Sequence, residues 1–157
     1  MVDVDELSEL VRAAEGPLAG RLRLGVIPTV APYLLPQIIS TLHGRMPTLE
    51  IEPRETVTQT LITDLLDSRL DAAIVALPIS EPALQEFALF EEDFILVRPK
   101  SEADRPIPSP TSLREKRLLL LEEGHCFREQ ALSFCEMPQS NPRYLMEGSS
   151  LSTLVKL

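Results

Sequence analysis

The fold class depends most on residues 21–55, which read RLRLGVIPTVAPYLLPQIISTLHGRMPTLEIEPRE. Leu22, Leu24 and Val26 recur at every second position, which predicts a strand that ends at Pro28. Residues 33–45 carry apolar side chains at steps of three and four, the spacing of one helix face. Residues 49–55 predict a second strand, and because Pro53 has no N–H to donate, this strand should lie at a sheet edge.

The same alternation continues to residue 77. A helix is predicted over residues 58–68, and a strand over residues 72–77, AAIVAL. A nearly all-apolar strand is typical of a sheet whose two faces are both covered. The order strand, helix, strand, helix, strand indicates a parallel sheet with right-handed crossovers, so we expect an α/β fold.

The second half of the chain starts the pattern again. Short strands are predicted over residues 87–90, 94–98, 118–121 and 143–146, with a proline-rich loop or crossover around residues 106–110. The segment 124–135, GHCFREQALSFC, predicts a loop leading into a helix, and a last helix begins at residue 150 with no stop signal. We expect a linker-helix end over 1–16, a first α/β lobe over 20–92, and a second lobe over 93–157 that is truncated.

Composition bears on the partners of the protein. The chain has 24 acidic and 15 basic residues, a net charge of −9, and no basic run. Because phosphate binding needs a positive surface, DNA contact is expected only through a segment absent from this chain. No apolar run reaches the ~18–20 residues of a membrane span, and the acidic start lacks the apolar core of a signal peptide. A cytoplasmic protein without a membrane partner is expected.

The segment 124–135 carries the strongest chemical signal. If its helix starts near Cys126, the first N–H groups and the helix dipole lie beside the sulfur and favour the thiolate, the form that attacks peroxide. His125 and Arg128 would add positive charge or hydrogen-bond donors. Cys135 shares a helix face with apolar neighbours, and a buried thiol stays inert. A reactive thiol and a resolving thiol are therefore predicted.

The spacing of the two cysteines adds a constraint. Nine helical residues correspond to about 13–14 Å of rise and about 900° of rotation, which puts the side chains on opposite sides. A disulfide needs Cα atoms within roughly 7 Å. Bond formation would have to unwind the helix and draw Cys135 out of the core, which makes a two-state element suited to a sensor.

Other interpretations stay open on the residues alone. A cysteine pair nine apart is more often two unrelated core thiols than a redox pair. A zinc site is weaker, because His43 and His125 are the only histidines and no CxxC is present. Thr29 and Thr58, taken singly, would be a strand-end hydroxyl and a helix N-cap.

Two stretches carry a family resemblance. Residues 27–50, IPTVAPYLLPQIISTLHGRMPTLE, followed by residues 121–135, LEEGHCFREQALSFC, resemble the regulatory domain of OxyR-type, peroxide-responsive members of the LysR family of transcription regulators. The likeness extends from about residue 21 to the end. It implies two periplasmic-binding-protein-like lobes, a dimer or tetramer in the intact protein, and no metal or organic cofactor.

The resemblance also implies roles for single residues. Cys126 matches the peroxidatic cysteine, which forms a sulfenic acid and then a disulfide with Cys135. His125 and Arg128 match residues that tune or brace the reactive thiol. Two hydroxyls match those that line the peroxide pocket, and they belong to Thr29 and Thr58.

Two rival functions are weighed against this sensor. One is a LysR effector domain that binds a small organic anion, with incidental cysteines. The other is an enzyme, a thiol peroxidase, but the sequence has no thioredoxin-like CxxC and no peroxiredoxin motif. We expect a non-enzymatic sensor of hydrogen peroxide.

Overall fold

The computed structural model describes residues 20–113, 118–137 and 145–156. The chain divides into two compact units, one that ends at Val75 and one that begins at Ala76. The linker helix predicted over residues 1–16 lies outside the described residues. The compact units divide earlier than the predicted lobe boundary after residue 92, and that boundary stays a prediction about the intact protein.

The first unit is an α/β layer built on one parallel sheet. Its elements are β1 (Gly20–Val26), α1 (Ala31–Arg45), β2 (Leu49–Glu55), α2 (Thr58–Leu66) and β3 (Ala72–Ile74). The strand order is β2-β1-β3, and both pairings are parallel. The predicted alternation is thus observed, with Pro53 on an edge strand of this sheet. Helix α1 starts earlier than predicted, with Pro32 in its first turn, where a missing N–H costs no helical bond.

Strand β3 corrects one prediction. It stops at Ile74, whereas the apolar run predicted a strand to residue 77. The neighbouring strand β1 ends at Val26, which pairs with Ile74. Beyond Ile74, β3 therefore has no strand residue of β1 with which to form backbone hydrogen bonds. The expectation that both faces are covered is also wrong, because Ala72 is exposed and Ala73 and Ile74 are only partly buried.

Hydrogen bonds and ion pairs connect this sheet to α2 and to the loop before β3. The guanidinium of Arg23 donates to both carboxylate oxygens of Asp71, at 3.1 Å from Nε and 2.6 Å from Nη2, and to the backbone oxygen of Ser68 at 2.7 Å. The hydrogen bonds from Arg23 hold the pKa of Asp71 below its usual value. The carboxylate of buried Asp64 is likewise met by Arg69 at 2.7 Å and Arg54 at 3.1 Å. These pairs join β1, β2 and α2 to the loop before β3.

Gly25 allows α2 to pack closely on β1. A Cβ at this position would lie 2.6 Å from Leu61 Cδ2 and 2.7 Å from Leu70 Cδ1, both on buried side chains. We expect Gly25→Ala to lower the free energy of unfolding by about 1–2 kcal/mol, because a filled core must shift to admit the methyl group. Gly44→Ala is the matched control in helix α1. With nothing within 4 Å of its Cβ, it should stabilise by about 0.5–1 kcal/mol.

Urea unfolding of the two alanine variants measures this difference. Opposite shifts of the midpoint with unchanged slopes are expected. Equal midpoints for the two variants would contradict the close packing at Gly25.

The second unit begins with an extended segment. The strands predicted over residues 87–90 and 94–98 are absent from the structure, which has neither helix nor strand over residues 75–99. A strand needs a neighbouring strand to receive its backbone bonds, and no described strand pairs with this segment. Its apolar side chains are instead exposed, among them Phe87, Leu89, Phe90, Ile95 and Val97.

The remainder of the second unit is a small parallel layer. Its elements are a 3-10 turn (Lys100–Glu102), α3 (Pro110–Leu113), β4 (Leu118–Leu121), α4 (Cys126–Phe134), β5 (Leu145–Gly148) and α5 (Leu151–Leu154). Strands β4 and β5 pair in parallel, from Leu118 with Leu145 to Leu121 with Gly148. Residues 143 and 144 of the predicted strand lie outside the described part of the chain, and α5 is shorter than the helix predicted over 150–157. Within the described residues, no helix has both the length and the apolar character to cross a membrane.

Candidate functional site

Cys126 is the first residue of α4. The chain turns into the helix through Gly124, whose φ of 93° suits glycine, and His125 is the extended N-cap residue. The side chain of Cys126 is partly exposed, and it is a thiol rather than a disulfide. The unsatisfied N–H groups of a helix start carry partial positive charge. The sulfur therefore lies at the end of α4 that stabilises an anion.

Cys135 lies at the other end of the same helix. It is the C-cap residue, only 4% exposed, and its N–H donates to the backbone oxygen of Ala131 at 3.1 Å. It belongs to a core cluster with Leu113, Leu120, Leu132 and Met137. The two thiols thus occupy unequal environments: one is accessible at a helix start, and the other is enclosed by apolar side chains.

The intact helix separates the two sulfurs. The helix runs from Cys126 to Phe134 and Cys135 caps it, so the two cysteines lie about 13 Å apart along the axis. A disulfide requires Cα atoms within roughly 7 Å of each other. A bond between these two residues therefore demands that part of α4 unwind.

Arg128 braces the first turn of α4. Its side chain is 9% exposed, and Nη1 donates to the backbone oxygen of Leu121 at 3.1 Å and lies 2.7 Å from Oε1 of Glu147. The guanidinium thus ties α4 to the ends of β4 and β5. The sequence suggested that Arg128 offers charge to the thiol or braces it. In the structure, the positive charge of Arg128 is paired with the carboxylate of Glu147, a partner that no sequence pattern indicated.

His125 and Phe127 flank the reactive position. The imidazole of His125 is buried and makes no capping hydrogen bond to the helix. The ring of Phe127 packs against Phe94, with centroids 5.1 Å apart and planes tilted by 33°. The contact joins the extended segment to α4. Sequence reasoning missed it, because Phe94 was assigned to a strand.

Thr29 and Thr58 both follow the carboxyl ends of adjacent strands of the first sheet. Thr29 lies in the turn after β1, and Thr58 is the first residue of α2, which follows β2. The two parallel strands end side by side, with Val26 opposite Glu55. The N-cap of α2 is Val57, so the interpretation of Thr58 as an N-cap is wrong. Its hydroxyl oxygen is enclosed and has no hydrogen-bond partner among the described residues.

The cysteine segment and the two threonines belong to different compact units: Thr29 and Thr58 lie in the first, and His125, Cys126, Arg128 and Cys135 lie in the second. Within residues 20–113, 118–137 and 145–156, no three His, Cys, Asp or Glu side chains cluster as metal ligands would.

Residues 15–157 match the family model for the LysR substrate binding domain, and the chain belongs to this family. It is 42% identical to a probable hydrogen peroxide-inducible genes activator of Streptomyces viridosporus, over 100% of this chain and 51% of that protein. It is 36% identical to the DNA-binding transcriptional dual regulator OxyR of Escherichia coli K12, over 97% of this chain and 50% of that protein.

Comparison with solved structures leads to the same family. A mutant of Corynebacterium glutamicum OxyR with hydrogen peroxide bound matches 98% of this chain and 49% of its own, at a TM-score of 0.78 and 33% identity. The predicted family resemblance and fold class, an OxyR-type LysR regulatory domain of the periplasmic-binding-protein-like kind, are thereby confirmed. The chain spans about half the length of the curated relatives it matches.

Proposed function

We propose that this chain is the regulatory domain of a transcription regulator that senses hydrogen peroxide, with Cys126 as the sensing thiol. The observation that carries the proposal is the placement of two unequal thiols at opposite ends of α4. The relatives support it, because they are named for induction by hydrogen peroxide. Regulators of transcription are not a class of enzyme, and we propose that the protein senses peroxide without turning it over.

The chemistry proceeds in two balanced steps. The Cys126 thiolate attacks one oxygen of hydrogen peroxide, the O–O bond breaks, and hydroxide leaves and takes up a proton, so that Cys126 becomes a sulfenic acid. The thiol of Cys135 then attacks this sulfur, the S–O bond breaks, and water leaves as the S–S bond forms. Two thiols are oxidised, and one peroxide is reduced to two waters. These steps involve no metal and no organic cofactor.

The disulfide changes the conformation of the domain. Because α4 cannot stay intact when its two ends are joined, oxidation rearranges the segment around it. In the intact dimer or tetramer, this rearrangement would alter the packing between subunits and the seating of the DNA-binding domains. Contact with DNA then falls to a segment outside this chain, since the chain itself carries a net charge of −9. We propose a cytoplasmic location, where a regulator of this kind would meet DNA.

Thr29 and Thr58 are proposed to hold the peroxide molecule. Open α/β sheets bind ligands outside the carboxyl ends of their strands, and both threonines lie at the carboxyl ends of β1 and β2. The unpartnered hydroxyl of Thr58 supports this role, because a buried hydroxyl favours a polar partner. Hydrogen peroxide is small enough to supply one.

Mass spectrometry of the peroxide-treated protein tests the sensor. We expect the peptide that spans residues 126–135 to lose two hydrogens, since both thiols lie within it. Treatment with a thiol reductant should reverse the loss. A peptide of unchanged mass that keeps both thiols after peroxide would contradict the proposal.

A second candidate function is binding of a small organic anion as the effector. The threonine pair at the strand ends favours it equally, and the matched family is described as a substrate binding domain. Calorimetric titration with organic acids distinguishes the two functions. Heat of binding combined with thiols that peroxide does not oxidise would favour the anion effector.

A further inference from the structure

We infer that Glu147 is a positioning residue for the redox reaction, acting through Arg128. It holds the first turn of α4 in the thiol arrangement and thereby sets the rate at which oxidised Cys126 reaches Cys135. The inference rests on the proposed function.

The contact geometry makes Glu147 the anchor. The Arg128 guanidinium is almost enclosed, whereas 46% of the Glu147 side chain is exposed. A buried cation requires a paired anion, and the carboxylate at 2.7 Å supplies it from the end of β5. The other hydrogen bond of Nη1 goes to an uncharged acceptor, the backbone oxygen of Leu121, which cannot neutralise the guanidinium. Loss of the carboxylate would therefore weaken the attachment of Arg128, and with it the first turn of α4, more than the attachment of the rest of the helix.

The two ends of α4 are attached differently. At the C-terminal end, Leu132 and Cys135 are buried within the apolar cluster. In the first turn, Cys126 and Phe127 are partly exposed and only Arg128 is buried. The described contacts that hold this turn to the second unit include the ion pair of Arg128 with Glu147, the hydrogen bond from Arg128 to the backbone oxygen of Leu121, and the Phe127–Phe94 ring contact. The first turn is thus the end that releases more readily.

Release of this turn has to precede disulfide formation. The sulfenic acid at Cys126 must cover most of about 13 Å to reach Cys135. The bond between Arg128 and Glu147 exists while the turn is wound and is lost once the turn opens. It therefore stabilises the thiol and sulfenic acid forms relative to the disulfide, and it slows the second step more than the first.

The test compares Glu147→Gln with Glu122→Gln. Both changes remove one carboxylate charge, and Glu122 follows β4, beside the end of β5, with an exposed side chain that forms no ion pair among the described residues. Wild type and variants are treated with excess hydrogen peroxide. Sulfenic acid formation is followed by trapping with a dione reagent, and disulfide formation by the loss of trappable sulfenic acid.

We expect Glu147→Gln to speed conversion of sulfenic acid to disulfide by about fivefold to tenfold, and to shift the thiol–disulfide equilibrium toward the disulfide by a similar factor. Sulfenic acid formation should change by less than about threefold, and Glu122→Gln should leave both steps within about twofold of wild type. Wild-type rates and equilibrium in Glu147→Gln would overturn the inference. A wild-type protein that forms no disulfide would instead overturn the proposed function.

A second variant tests whether Glu147 acts through Arg128. Methionine keeps the apolar stem of Arg128 and removes the guanidinium. In an Arg128→Met background, Glu147→Gln should have almost no further effect on the second step, because the two changes remove the same bond. A full acceleration in that background would refute the link to Arg128. Thermal unfolding of each variant shows that the domain is still folded.

Discussion

Replacement of Cys126 by serine is expected to abolish thiol oxidation by hydrogen peroxide, with a fall in rate of at least about a hundredfold, because only a thiolate attacks peroxide readily. The serine hydroxyl does not ionise near neutral pH. The thiol that remains, Cys135, is enclosed by the core cluster around Leu132 and is out of reach of solvent. The variant should therefore keep its single thiol under conditions that oxidise the wild type.

Cys135→Ser is the matched control. It removes the same atom from the other end of α4 but leaves the accessible sulfur in place. This variant should form the sulfenic acid at nearly the wild-type rate and should accumulate it, since no second thiol resolves it. Stopped-flow measurement of peroxide consumption and trapping of the sulfenic acid give both rates. If Cys135→Ser lost the first step to the same extent as Cys126→Ser, the division into reactive and resolving thiols would be wrong.

Leu132→Ala is expected to lower the free energy of unfolding by about 3 kcal/mol, within the range for removal of a buried leucine side chain. Leu132 is 1% exposed and packs with Cys135 in the core of the second unit. The cavity left behind should also admit reagents, so alkylation of Cys135 should become at least about tenfold faster through more frequent local opening.

Phe134→Ala serves as the control for Leu132→Ala. It removes more atoms from the same helix, but the ring is 57% exposed. The change should cost less than about 1 kcal/mol, as expected for a surface position. Urea unfolding and the rate of thiol alkylation distinguish the two variants. Equal losses of stability would mean that α4 presents a different face to the core.

Much of the fold could be predicted because its signals are local. The helix over residues 31–45 and the strand over residues 49–55 each carry their own periodicity, and the parallel alternation follows from their order. Pro53 indicated an edge strand because proline lacks an N–H to donate to a second neighbouring strand, and this holds whatever surrounds the residue. A loop leading into a helix was predicted over residues 124–135, and the helix starts at Cys126.

The failures concern features that depend on a neighbour. Residues 87–90 and 94–98 have strand-like composition, but no described strand receives their backbone bonds. β3 ends where β1 ends, although its apolar run continues. Thr58 does not cap α2, because Val57 takes the N-cap position. In each instance the local sequence did not determine which part of the chain lies next to the segment.

The candidate site shows the same division. Which thiol begins a helix, and how far the other lies from it, follows from spacing along the chain, because the rise per residue of a helix is constant. The partner of Arg128 does not follow from spacing. Glu147 reaches Arg128 only because β5 pairs in parallel with β4 and brings a residue distant in sequence to the start of α4. Local periodicity repeats within a few residues, whereas an ion pair across strands depends on the packing of the whole layer.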